Sequence, residues 1–101
     1  MKLTNVQLIN ADNALSDVAQ QKVNGTVAFK LFRLKQQLEH LTEPVRRALE
    51  SIGIEDQSNP KFQEILAIEQ EIEPVEFFNS PDLNDLILTL AQVSYLSHFI
   101  K

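Results

Sequence analysis

The stretch from Val27 to Ile52 reads VAFKLFRLKQQLEHLTEPVRRALESI. Its apolar residues Val27, Leu31, Leu34, Leu38, Leu41, Val45, Ala48 and Ile52 are separated by alternating gaps of four and three. That spacing keeps all of them on one face of an α-helix. The rhythm predicts one long central helix with Pro44 inside it. Proline removes a helical hydrogen bond and crowds the residue four before it, here His40, so a kink is expected there. The unbroken phase of the stripe favours a kink over a break. A straight helix of 26 residues would be about 39 Å long, whereas a compact chain of this length is about 33 Å across. Either the molecule is elongated or the helix bends.

Phe29 and Phe32 lie off the stripe, so the first half of this helix is apolar on more than one side. Such a helix is buried by several neighbours or by another subunit. Before it, Thr4 and Gln7 form a capping-box pair, and Leu3 and Leu8 stand at the positions of a hydrophobic staple. Leu8, Ala11, Leu15 and Val18 then repeat at helical spacing, which predicts a first helix over about Asn5 to Lys22. Val23-Asn24-Gly25 reads as a turn, with Thr26 as the next cap.

Beyond the stripe, Gly53 suits a helix C-terminus, and the polar link from Glu55 to Asn59 closes on Asn59-Pro60. Phe62, Ile65, Ile68 or Glu69, and Ile72 predict a short third helix with an acidic side. Residues 71–78 alternate in part, hold Pro74 and end in Phe77-Phe78. They read as extended, an edge strand whose expected partner is the start of the chain, residues 1–4. Asn79-Ser80-Pro81-Asp82 is a helix start with serine at the cap. A last helix then carries Leu83, Leu86, Ile87, Leu90, Val93 or Ala91, Leu96, Phe99 and Ile100. It holds no acid or lysine between Asp85 and Lys101, which places it in the core or at an interface.

Length and composition narrow the function classes. The 101 residues suit one domain, and 44% apolar with 23% charged residues is ordinary globular composition. No apolar run is long enough to span a membrane, and the start lacks the features of a signal peptide, so neither insertion nor export by that route is expected. There is no cysteine, hence no disulfide, thiolate metal site or thiol nucleophile. The net charge of −5 is uneven: residues 22–47 carry +4 and residues 50–85 carry −9. An acidic second half argues against docking on phosphate.

No motif points to chemistry. His40 and His98 share no ligand spacing, the serines have no nucleophile-elbow context, and Gly25 and Gly53 are too far apart for a phosphate loop. The run Glu64, Glu69, Glu71, Glu73, Glu76 has no glycine to shape a calcium loop and reads as a solvated face that keeps an edge strand from pairing. Lys30, Arg33 and Lys35 beside Phe29 and Phe32 read as snorkelling rims of a buried face, and nucleic-acid binding is not expected.

The chain resembles a family of short, mainly helical proteins encoded by bacteriophages and prophages. The resemblance rests on Met1-Lys2-Leu3-Thr4 through Val18-Ala19 and on Ala28-Phe29-Lys30-Leu31-Phe32-Arg33-Leu34. It continues in Phe62-Gln63-Glu64-Ile65-Leu66, in Glu71-Ile72-Glu73 and in the ending near Phe99-Ile100. Pro44 departs from the uninterrupted helix of that pattern. The family has no settled activity, so the resemblance implies a phage origin and transfers no site residue.

The expectation is one mainly α domain over residues 1–101. A long kinked helix is packed by two or three others, with one small antiparallel pairing of 1–4 with 71–78. No catalytic residue, metal or cofactor is expected. Function is expected through protein–protein contact, as a small structural or assembly factor or as an inhibitor of a host enzyme or defence protein. The partner is a second copy or a host protein, in the host cytoplasm or on the virion. Phe29, Phe32, Arg33, Phe77, Phe78 and Phe99 are the candidate contact residues.

Overall fold

The computed structural model describes residues 1–53 and 58–101. In order it forms β1 (Lys2–Thr4), α1 (Asn5–Val18), α2 (Gly25–Ile52), α3 (Pro60–Ala67), β2 (Glu69–Glu71), α4 (Ser80–Asn84) and α5 (Leu90–Leu96). A single 3₁₀ turn, Ser97–Phe99, follows α5. The architecture is mainly helical, built around α2, with one two-stranded antiparallel sheet.

At 1.5 Å per residue the 28 residues of α2 extend about 42 Å, which equals the long dimension of the 42 × 24 × 21 Å molecule. The molecule is elongated, as a stripe of this length allows. The helix continues through Pro44 without a break. Pro44 is solvent-exposed, so water can reach the His40 carbonyl that loses its donor. The Gln70 side-chain amide donates to the neighbouring Leu41 carbonyl at 3.3 Å.

The buried seam of α2 is Val27, Leu31, Leu34, Leu38, Thr42, Val45 and Leu49. After Leu38 it departs from the heptad stripe at Thr42 and Leu49 and shares only Val45 with it. Leu41, Ala48 and Ile52, expected in the seam, are only half-buried. An unsupercoiled helix has 3.6 residues per turn, so over two heptads the inward face drifts from a strict 3.5-residue repeat onto the next position.

Local capping explains most boundaries. Thr4 Oγ1 accepts from the Gln7 amide at 3.2 Å while Gln7 Oε1 accepts from the Thr4 amide at 2.8 Å, and Leu3 and Leu8 are both buried. Helix α1 ends at Val18, short of the expected Lys22. The Gln20 and Gln21 amides bond three residues back instead of four, and the Gln21 side chain is committed to the Ile87 backbone. The cap of α2 is Asn24, not Thr26, because Asn24 Oδ1 accepts from the Val27 amide at 3.0 Å. Gly53 closes α2 at φ +102°, a conformation that favours glycine. Of the polar link expected over 55–59, residues 55–57 lie outside the described residues. Asn59 caps α3.

Four expectations past residue 60 are corrected. Helix α3 stops at Ala67, because the Ile68 carbonyl accepts from the Asn5 amide and 69–71 pair with 2–4. Ile72 therefore leaves the helix and enters the core. The strand partner of the N-terminus is 69–71, with Ile72 bonded to Met1, so only the start of the expected 71–78 takes part. Residues 73–82 are instead tied along one flank of α2. Gln37 bonds the Glu73 carbonyl and the Val75 amide, Arg33 holds Glu76, and Lys30 reaches Asp82. The final helix is divided: α4 ends at Asn84, and α5 restarts under a Thr89–Gln92 capping box. The cap of α4 is Asn79, not Ser80.

The main core joins Leu3, Leu8, Leu15, Val18, Leu31, Leu34, Leu38, Ile72, Phe78, Leu96 and Phe99, among others. A second cluster, Val45, Leu49 and Phe62, seats α3 on the far half of α2.

Candidate interaction surface

The contact residues expected from sequence separate into three groups. Phe78 and Phe99 are core residues, buried and joined by backbone bonds of 2.8 Å from the Phe78 amide to the Phe99 carbonyl and from the Lys101 amide to the Phe78 carbonyl. They present no surface to another molecule. Phe77 is half-buried, with the Lys101 ammonium 4.9 Å from its ring centre. Phe29 and Phe32 stand outside, each 61% exposed.

Their exposure follows from helix geometry. With Val27, Leu31 and Leu34 facing inward, positions 29 and 32 fall on the opposite side, 3.6 residues to the turn. Arg33 lies beside them with its guanidinium 5.9 Å from the Phe29 ring centre while it pairs with Glu76 at 2.8 Å. Between Phe32 and the α1–α2 turn opens an apolar cleft of about 620 Å³, lined by Ala19, Gln21, Lys22, Val23, Ala28 and Phe32 among others. Gln21 also grips Ile87: its amide nitrogen donates to the Ile87 carbonyl at 2.7 Å and its oxygen accepts from the Ile87 amide at 2.9 Å. This seats the 85–90 segment at the same end of the molecule. There Ile87 is 84% and Leu90 87% exposed. Of the stretch expected in the core or at an interface, Leu96 and Phe99 are buried and Leu83, Leu86, Leu88 and Ile100 pack against the core, whereas Ile87 and Leu90 stand out.

Lys30, Arg33 and Lys35 are engaged within the chain, while Lys22 is exposed on the cleft. Lys30 pairs with Asp82 at 2.7 Å, and Lys35 with Asp12 at 2.7 Å and Glu39 at 3.1 Å. The Lys30 hydrogen bond and the Asn79 amide hold the Asp82 carboxyl below its usual range, against the opposing effect of burial. Burial pulls the Lys35 ammonium down. Its hydrogen bonds to Asp12 and Glu39, reinforced by their charges, more than offset that, and the net shift is upward. Cations neutralised in this way are poor phosphate ligands.

Asp12 is the charged residue that sequence reasoning passed over. It is buried between α1 and α2, where it accepts from Lys35, from Arg46 at 3.0 Å and from Thr42 at 3.4 Å. The signal was present, since Asp12 sits four after Leu8 and three before Leu15, an acid on an apolar helical face. Its partners are all supplied by the chain, so the group ties two helices together and leaves no open ligand position. His40 and His98 are both exposed.

Among the described residues no group of three or more His, Cys, Asp or Glu side chains converges as a metal site. None of the described helices is long and apolar enough to cross a membrane. Comparison with protein-family models, curated proteins and solved structures returned no match. What the protein does must therefore be read from its surface.

Proposed function

We propose that this protein works without catalysis, by contact with another protein, as a small structural or assembly factor of phage origin. One observation carries the reading: four large apolar side chains, Phe29, Phe32, Ile87 and Leu90, stand in water at one end of the molecule. At about 200 Å² per large side chain, their exposed fractions sum to roughly 600 Å² of apolar surface. The sequence resemblance supplies the origin and, with it, a place in the host cytoplasm or on the virion.

A second reading, an inhibitor of a host enzyme or defence protein, is supported by the exposed carboxylates of Glu64, Glu69, Glu71 and Glu73, which suit a basic target surface. Light scattering combined with affinity capture from host lysate tests the contact reading. Self-association or a captured partner that is lost in the Phe29→Glu, Phe32→Glu double variant is expected. A wild-type monomer that captures nothing would sink it.

A further inference from the structure

We infer that Asn24-Gly25 is a deamidation site, and that the aspartate it yields loosens the 85–90 segment from the start of α2. The fold has no need of a glycine at position 25. Its φ is outside the left-handed range, and a Cβ placed on it would meet nothing within 4 Å. Glycine is also a poorer helix former than alanine. What a glycine does change is the chemistry of the residue before it. With no side chain to shield the peptide nitrogen, that nitrogen reaches the preceding carboxamide most readily. Asn24 and Gly25 are both exposed, so water reaches the pair.

Asn24 caps α2 with both ends of its carboxamide engaged. Oδ1 accepts from the Val27 amide at 3.0 Å, and Nδ2 donates to Asp85 Oδ2. The Gly25 amide is one of the four at a helix start that lack an intrahelical acceptor, so its attack breaks no helical bond. The Gly25 nitrogen gives its proton to water and bonds to Asn24 Cγ. Negative charge then collects on Oδ1, where the Val27 amide already donates. The Cγ–Nδ2 bond breaks, the nitrogen takes a proton from water and leaves as ammonia, and a succinimide remains. Water opens that ring to aspartate or to its β-linked isomer. Aspartate keeps one of the two bonds and loses the other. It caps α2 as well as asparagine does, but its carboxylate has no hydrogen to give Asp85. A tie between α2 and the 85–90 segment becomes a pair of like charges in contact. That segment is otherwise held by Gln21, which bonds the Ile87 carbonyl at 2.7 Å and its amide at 2.9 Å, and by Leu86 and Leu88 packed on the core.

Incubation of the full chain at neutral pH, followed by peptide mass mapping, tests the site. Asn24 should convert before any other asparagine, since none of the others precedes a glycine. Gly25→Ala should suppress the conversion and leave the fold intact. The freshly purified Asn24→Asp variant tests the consequence. Amide hydrogen exchange at Leu86 and Ile87 should rise at least about tenfold, from the lost bond and the repulsion together. Its helical circular dichroism should be unchanged, because α2 stays capped. Asn24→Asp combined with Asp85→Asn moves the donor to the other partner and should restore slow exchange. Conversion of another asparagine ahead of Asn24, undiminished conversion in Gly25→Ala, or unchanged exchange in Asn24→Asp would each overturn the inference.

Discussion

Replacing Asp12 with alanine should cost this protein about 2 kcal/mol. The carboxylate accepts three side-chain bonds, from Lys35, Arg46 and Thr42. A hydrogen bond involving a charged group contributes about 1.5–3 kcal/mol, but two discounts apply. The Lys35 and Arg46 side chains are 23% and 40% exposed, so both cations can turn to water, which reduces each bond to about 1 kcal/mol. Thr42 is buried and keeps only a 3.5 Å contact with the Glu39 carbonyl, which adds about 0.5–1 kcal/mol for an under-satisfied hydroxyl. Alanine returns about 0.5 kcal/mol through helix propensity. The net of about 2 kcal/mol corresponds to a drop of roughly 10 °C in Tm for a chain of this size. Urea and thermal melts at neutral pH would measure it. The triple variant Asp12→Leu, Lys35→Met, Arg46→Met should recover most of the loss, because an apolar replacement of the carboxylate and both its charged partners leaves none of the three charges stranded. An alanine variant within about 0.5 kcal/mol of wild type, inside the usual range for a neutral surface change, would refute the account of Asp12 as the tie between α1 and α2.

Three further outcomes follow from the same geometry. Leu49→Ala should destabilise by about 2–3 kcal/mol and Ile52→Ala by clearly less, with denaturant melts reading the drift of the α2 seam off the heptad positions. Pro44→Ala should raise stability by about 1 kcal/mol, since the helix already passes this point and the new amide can bond the His40 carbonyl; an unchanged or lower Tm would count against it. Stability should fall as pH drops through the lowered folded pKa of Asp82, whose contribution is fully present only above the ordinary value of 3.8. At the alkaline end, the Lys35 contribution is present below 10.5 and lost as pH rises through its raised folded pKa. Thermal melts across pH should show Lys30→Met flattening the acid limb alone.

Much of this fold was legible wherever the decisive interaction is local. The capping box at Thr4 and Gln7, the glycine after Ile52 and the asparagine before Pro60 each act within a few residues, and each stands where expected. The same logic was available at Thr89, where Thr-Leu-Ala-Gln repeats the pattern of Thr4, yet the apolar run from Leu83 to Ile100 masked the second start. What the sequence hid is tertiary. Whether 69–71 or 71–78 pairs with the first strand depends on Gln37, Arg33 and Lys30 tying the later residues to α2, and no local pattern reveals that flank. The aromatic residues make the same point. Phe78 and Phe99 differ from Phe29 and Phe32 in nothing a composition can show; the first pair closes the core through a backbone bridge, and the second lies on the far side of a helix whose inner face is already filled. An exposed aromatic pair is therefore informative only once the inner face is known to be complete. In α2 it is complete: Val27, Leu31, Leu34 and Leu38 supply the core without them, so the surface role of Phe29 and Phe32 can be tested by substitution without disturbing the fold that presents them.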